Sequence, residues 1–195
     1  MNFLLDIMGS TLVAGIIFLL VLKLNLYSRN VSYYSDNELR LQQNVKTLAE
    51  VINYDLRKIG YKYEGTAIVT AEPHRLQFYA DLEAPGTVGH GVMDFIEYFL
   101  GDSTEATGTE NQRDKILYRV LNHTDTLGGP TLGLVDLKFS YLNGQGLATT
   151  ILDSIRYVKA EFWVEPYEFV SDISSEKQDS TQFTYWELTI NPRNI

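Results

Sequence analysis

Residues Met8–Leu22 form an almost unbroken apolar run, Met-Gly-Ser-Thr-Leu-Val-Ala-Gly-Ile-Ile-Phe-Leu-Leu-Val-Leu. The chain then turns polar, with no Pro or Gly to stop a helix before Gly60. Leu41, Val45, Leu48, Ile52, Leu56 and Ile59 recur at steps of three and four. That period places them on one helical face, and the pattern predicts a face that docks on a head domain. Gly60 is a natural C-terminal cap, because glycine takes the left-handed conformation without steric cost. Met8–Gly60 therefore reads as a stalk. Its first half is apolar all round, as lipid demands, and its second half is amphipathic, as a soluble domain demands.

The apolar run is about 16 residues long before Lys23, near the short end for a membrane span. Leu24, Leu26 and a snorkelling Lys23 extend it over residues 8–26. A buried core helix is the alternative reading of such a run. The first nine residues do not resemble a secretory signal peptide: they carry Asp6 and no Lys or Arg, and no A-x-A-like exit follows. Lys23 and Arg29 both follow the span, and the positive-inside bias pulls them towards the cytoplasm. Between Asn25 and Asn37 the chain is rich in Asn and Ser, which compete with helical hydrogen bonds. Ser35-Asp-Asn-Glu38 has capping-box spacing, and Asp36 and Arg40 are placed for an i,i+4 ion pair. A fresh helix from Asp36 and one continuous rod both fit.

Beyond Gly60 the period changes from helical to alternating. Arg75–Ala80, Val92–Leu100, Lys115–Leu121, Leu134–Leu142, Ile155–Val164 and Phe183–Ile190 read as strands. Val135, Leu137, Phe139 and Tyr141 point one way, while Asp136, Lys138 and Ser140 point the other. Val158, Ala160, Phe162 and Val164 line one face of the next strand, and Trp186, Leu188 and Ile190 one face of the last. The expected fold class is α+β: a long N-terminal α-helix whose second half packs on an antiparallel β-sheet head. The expected division is a leader-like segment 1–9, a transmembrane half and polar joint 10–35, and a head 36–195 that includes the half-helix 36–60. Asn143-Gly-Gln-Gly146 signals a turn, and Asp81–Gly91, Gly101–Asp114 and Ser171–Thr181 read as long polar connections.

Composition then removes whole classes of function. The formal net charge is −9, which argues against a nucleic-acid partner and offers no polybasic patch for anionic lipid. The absence of cysteine excludes disulfides and thiolate metal sites. Hydrophobic residues make up 45% of the chain, enough for an ordinary globular core in the roughly 135 residues after Gly60. His74, His90 and His123 are scattered without metal-ligand spacing, so no metal and no cofactor is expected. Gly86-Thr-Val-Gly-His-Gly91 lacks the Gly-Lys-Ser/Thr of a phosphate loop and reads as a turn. Asp81 with Glu83, and Asp94 with Glu97, could hold a hard cation or serve as an acid–base pair, but such carboxylates usually form a strand's solvated face. Asn30-Val-Ser32 and Asn122-His-Thr124 match glycosylation sequons. No residue pattern points to catalysis, and the expectation is a protein that is not an enzyme.

Several motifs, in order, carry a family resemblance. Gly9-Ser10-Thr11-Leu12-Val13 resembles the type IV prepilin processing site, where a glycine precedes the cut and the mature chain opens into an apolar helix. Asp55-Leu-Arg-Lys-Ile-Gly-Tyr61 is similar to the end of that helix in PilW-like minor pilins and GspJ-like minor pseudopilins. Ile96-Glu-Tyr98, Ile116-Leu-Tyr-Arg119, Val135-Asp-Leu-Lys-Phe-Ser-Tyr141 with Gly144, Ile155-Arg-Tyr-Val158 and Ile190-Asn-Pro-Arg-Asn194 follow the family's order.

The resemblance implies a single-pass protein of the bacterial inner membrane with its head in the periplasm or on an extracellular filament. It implies processing at Gly9, Ser10, Thr11 and Leu12, with methylation. It also implies a helix that assembles with other pilin or pseudopilin subunits and with the lipid bilayer through Ala14, Ile16, Ile17, Leu19 and Leu20. Two features depart from the pattern. The leader has no basic residue, and Ala14 stands where most members carry a glutamate. The expected function is a structural minor pilin or pseudopilin subunit of a type IV pilus or type II secretion-like filament, initiating assembly or sitting near the tip. The rival readings are a membrane-tethered module binding a ligand through Asp81–Gly91 or Gly101–Asp114, and a degenerate tethered hydrolase.

Overall fold

The computed structural model describes residues 2–83, 85–109, 111–129, 131–166 and 183–195. Helix α1 runs over Asn2–Leu56 without a break. No fresh helix starts at Asp36, and Ser35–Glu38 lies inside the helix rather than at a cap. The reason is local. No Gly or Pro occurs between Gly15 and Gly60, and an exposed Asn or Ser lowers helix stability by only about 0.5 kcal/mol each. Among the described residues the i,i+4 ion pair on this helix is Lys46–Glu50, at 3.8 Å, and not Asp36–Arg40.

The chain divides into two compact units, Met1–Arg40 and Leu41–Ile195. The first is helix alone. The second holds the end of α1 and all the strands, arranged as two antiparallel meanders. One sheet has the order β1(Ile68–Glu72), β2(Arg75–Ala80), β3(Asp94–Leu100), β4(Leu117–Leu121), β5(Asp125–Gly128). The other has the order β6(Leu134–Leu142), β7(Tyr157–Val164), β8(Thr184–Ile190). The sequence suggests a single sheet and six strands; β1 and β5 are additions. The expected polar stretch Ser171–Thr181 lies outside the described residues.

The two sheets meet along β1 and β6, where the Phe139 amide donates to the Pro73 carbonyl at 2.6 Å and the Tyr141 hydroxyl donates to the Glu72 carbonyl at 2.9 Å. One continuous apolar core joins α1 to both sheets. Leu41, Val45, Leu48, Ile52, Leu56 and Ile59 enter it from the helix side, Leu76, Phe78, Ile96 and Tyr98 from the first sheet, and Leu137, Phe139, Val158 and Phe162 from the second. Burying an aliphatic side chain of this size stabilises by about 2 kcal/mol, so the helix stripe alone is a large part of the head's stability. Ile59 joins from a turn, because α1 ends at Leu56. Gly60 is likewise no helix cap. At φ +74° its N–H reaches the Tyr79 carbonyl at 2.9 Å, and a Cβ there would lie 2.6 Å from the Asn194 carbonyl.

The alternation in β6 and β7 is followed closely, with Val158, Ala160, Phe162 and Val164 all buried. In β8 the expected face holds only at one end: Ile190 is buried, and Trp186 is 48% exposed.

Candidate functional site

The sequence-predicted site residues separate into an exposed set and a buried set. Gly9, Ser10, Thr11 and Leu12 all lie on α1. The Ser10 hydroxyl donates to the Ile7 carbonyl at 3.0 Å, and the Thr11 hydroxyl to the Ile7 and Met8 carbonyls. Nothing within 4 Å of Gly9 would obstruct a side chain. This chain's own packing therefore does not require glycine there. Ala14, Ile16, Ile17, Leu19 and Leu20 follow on the same helix, and all are exposed. The helix is long and apolar enough to cross a membrane, and its most apolar window buries nothing inside the protein.

Leu41, Val45, Leu48, Ile52, Leu56 and Ile59 are the buried set, each under 7% exposed. Next to them is a polar cluster that the sequence does not announce. Asp55 is the one acid in the last turn of α1, and it is buried in the core. Its Oδ2 accepts from the Tyr98 hydroxyl of β3 at 2.6 Å and from the Arg119 Nε of β4 at 2.6 Å. Burial, reinforced by the Asp55 charge, raises the Tyr98 phenol well above its ordinary value, so it stays a donor. Three motifs that are separate in sequence, around Asp55, Tyr98 and Arg119, thus meet at one point. The signal available in the sequence was an acid on the buried stripe, one residue before Leu56. Such a residue requires a cationic or hydroxyl partner.

Of the four carboxylates considered for cation or acid–base chemistry, Glu83 alone is exposed. Asp81, Asp94 and Glu97 are all buried. Each is held by its own partner, because a buried charge persists only when paired. Asp81 Oδ2 meets Lys62 Nζ at 3.0 Å, the Gly91 amide at 2.9 Å and His90 Nδ1 at 3.3 Å. Burial alone would raise the Asp81 carboxyl, but donation from Lys62 and Gly91 outweighs it and the net shift is downward. Asp94 accepts from the Asn122 side chain at 2.9 Å and the Leu82 amide at 3.3 Å. Glu97 pairs with Arg75. Glu83 is not drawn to Asp81; it accepts from Thr87 at 3.3 Å. No three His, Asp or Glu among the described residues converge as they would around a metal.

The loops proposed as binding elements are self-occupied. Gly86, Gly89 and Gly91 have φ near +90° and form turns. Asn122 and His123 both have positive φ and turn β4 into β5. Asn122 bonds the Phe95 amide and Asp94 through its own side chain, so its sequon amide is already engaged. In the second loop Asn111 and Arg113 hold Glu165, at 3.1 and 2.8 Å. Asp114 lies fully buried beside them, and neither of its oxygens makes a well-formed hydrogen bond. Burial pushes its carboxyl up to about 6, the nearby Thr109 hydroxyl offsets part of the rise, and Glu165 adds to it.

Compared by sequence, the chain matches no family model and no curated protein. Compared by structure, it matches a type IV-like pilin from Thermus thermophilus with a TM-score of 0.53 at 13% identity, over 80% of this chain and 98% of that one. A long N-terminal helix followed by antiparallel sheets is therefore a type IV pilin-like fold.

Proposed function

We propose that this chain is a minor pilin or pseudopilin of the PilW/GspJ kind, anchored in the inner membrane by α1 and assembled with other subunits through it. The observation that carries this reading is the helix stretch from Leu12 to Leu26, whose large apolar side chains are exposed, in a chain of pilin-like fold. Soluble monomers do not expose apolar surface on that scale, so lipid or neighbouring subunits must cover it. In this reading residues 1–9 are a leader removed between Gly9 and Ser10, residues 10–35 are the membrane half, and the head follows.

Ala14 supports a position near the tip. A bare ammonium inside an apolar helical bundle costs several kcal/mol unless paired, and alanine cannot pair with one. A subunit with Ala14 does not neutralise the terminal amine of a neighbour, and loses nothing where no such neighbour needs it. It therefore acts at or near a filament tip, as an initiator present in few copies. Intact-mass measurement after co-expression with a prepilin peptidase tests the cut, and a chain beginning at Ser10 is expected. Quantitative mass spectrometry of sheared filaments tests the position. A copy number comparable to the major subunit would overturn the tip assignment.

A further inference from the structure

Of the four outer strands in the two meanders, β1 and β6 face each other, and among the described residues β5 and β8 have no strand on their outer side. They differ in kind. Strand β5 spans four residues and closes on Gly128-Gly129. Strand β8 spans seven residues, pairs with β7 without a register shift, and contains no Pro and no Lys. Its one charged residue is Glu187, and every second residue presents its N–H and C=O away from β7.

A groove of about 700 Å³ runs beside this edge. One wall is Leu188, Thr189 and Ile190 of β8, the other is Asn53 of α1 with Arg57 of the turn after it, and Arg193 also lines the groove. Among the described residues neither Arg57 nor Arg193 lies within ion-pair distance of a carboxylate. On a chain of net charge −9, two unneutralised guanidinium groups in one groove are a local exception. The acid nearest along β8, Glu187, is already held by Lys159 at 2.9 Å. The Asn53 side-chain oxygen, on the same wall, is buried and has no donor.

The geometry points to an extended, carboxylate-bearing segment of another protein as the occupant of this groove, added to β8 as a further antiparallel or parallel strand. Backbone pairing with the β8 edge supplies affinity. Arg57 and Arg193 select acids over bases, since a guanidinium pairs with a carboxylate through two parallel hydrogen bonds. This inference stands on the head alone and does not rest on filament assembly.

The test uses the full chain in detergent micelles and a labelled synthetic peptide of alternating Thr and Val carrying two aspartates. Three comparisons are made by fluorescence anisotropy: the same peptide with lysines for the aspartates, the same peptide N-methylated at alternate amides, and the double variant Arg57→Glu, Arg193→Glu. Both arginines are exposed, so the variant keeps the fold, which its melting temperature confirms. Expected are roughly tenfold tighter binding of the aspartate peptide than the lysine peptide, reversal of that preference in the double variant, and loss of binding on N-methylation. Three results would overturn the proposal: no binding of the aspartate peptide, equal binding of both peptides, or an N-methylated peptide that binds as well.

Discussion

Two stretches of one helix have opposite fates. From Leu12 to Leu26 α1 exposes its large apolar side chains all round, whereas from Leu41 to Leu56 it buries one stripe and exposes the rest. Helical propensity does not distinguish them. What differs is where polar residues interrupt. The second stretch spaces Lys46 and Glu50 between its apolar positions, and the first admits no charge between Met8 and Leu22. A helix with polar relief has a sheet to face; a helix without it has its partner outside the chain.

The largest effect that would break this contrast is a charge placed in each stretch. Ile52→Asp puts an unpaired carboxylate in a fully enclosed site, and a loss of more than about 4 kcal/mol is expected, enough to abolish the head's cooperative melting. Ile17→Asp should leave the head's melting within about 0.5 kcal/mol and should instead weaken retention in carbonate-washed membranes. Equal effects of the two changes on melting would erase the distinction.

A smaller effect is expected at the polar end of the buried stripe. Asp55→Asn keeps an acceptor for Tyr98 but leaves the Arg119 guanidinium unneutralised and partly buried. A loss of about 2–3 kcal/mol is expected by urea denaturation, because breaking one side of a buried pair strands the other charge. Asp55→Asn combined with Arg119→Met should recover part of that loss, and failure to do so would show that the pair is not coupled.

Asp114 should act in the opposite sense. Its carboxyl is raised when folded, so the folded state binds the proton more tightly than the unfolded chain. The stabilisation from that proton is complete below the ordinary carboxylate range and is lost as pH rises through about 6. At neutral pH Asp114→Asn should raise stability by about 1–2 kcal/mol and should flatten the stability profile between about pH 4 and 7. An unchanged profile would mean that the carboxyl finds a partner in solution.

Periodicity carried much of this structure. The helix stripe and the alternation of β2, β6 and β7 were legible because each element buries one face and the core enforces the pattern at every step. The misses have particular causes. Strand β5 lies on an edge with all four residues exposed, so no alternation marks it, and its signal was the Asn122-His123 turn. Strand β1 is joined to β2 through Pro73-His74, and its five residues show only weak alternation. The carboxylates were misjudged because sequence shows charge but not neighbours: Asp81 meets Lys62 and Gly91 only after the loop folds back. The Asp55 cluster joins residues 43 and 64 positions apart, a distance no local pattern spans.

The two meanders bear on how the head folds. Every strand pairs with its neighbour in sequence, so each sheet can zip from its own hairpins with little loop-closure entropy. The long closures fall elsewhere, at Asp55–Arg119 and at the Asn44 side chain, which donates to the Leu132 carbonyl 88 residues away at 2.9 Å. Both tie the helix to strands made after it. The end of α1, although synthesised first, is therefore expected to dock late, leaving its apolar stripe uncovered until the strands have paired.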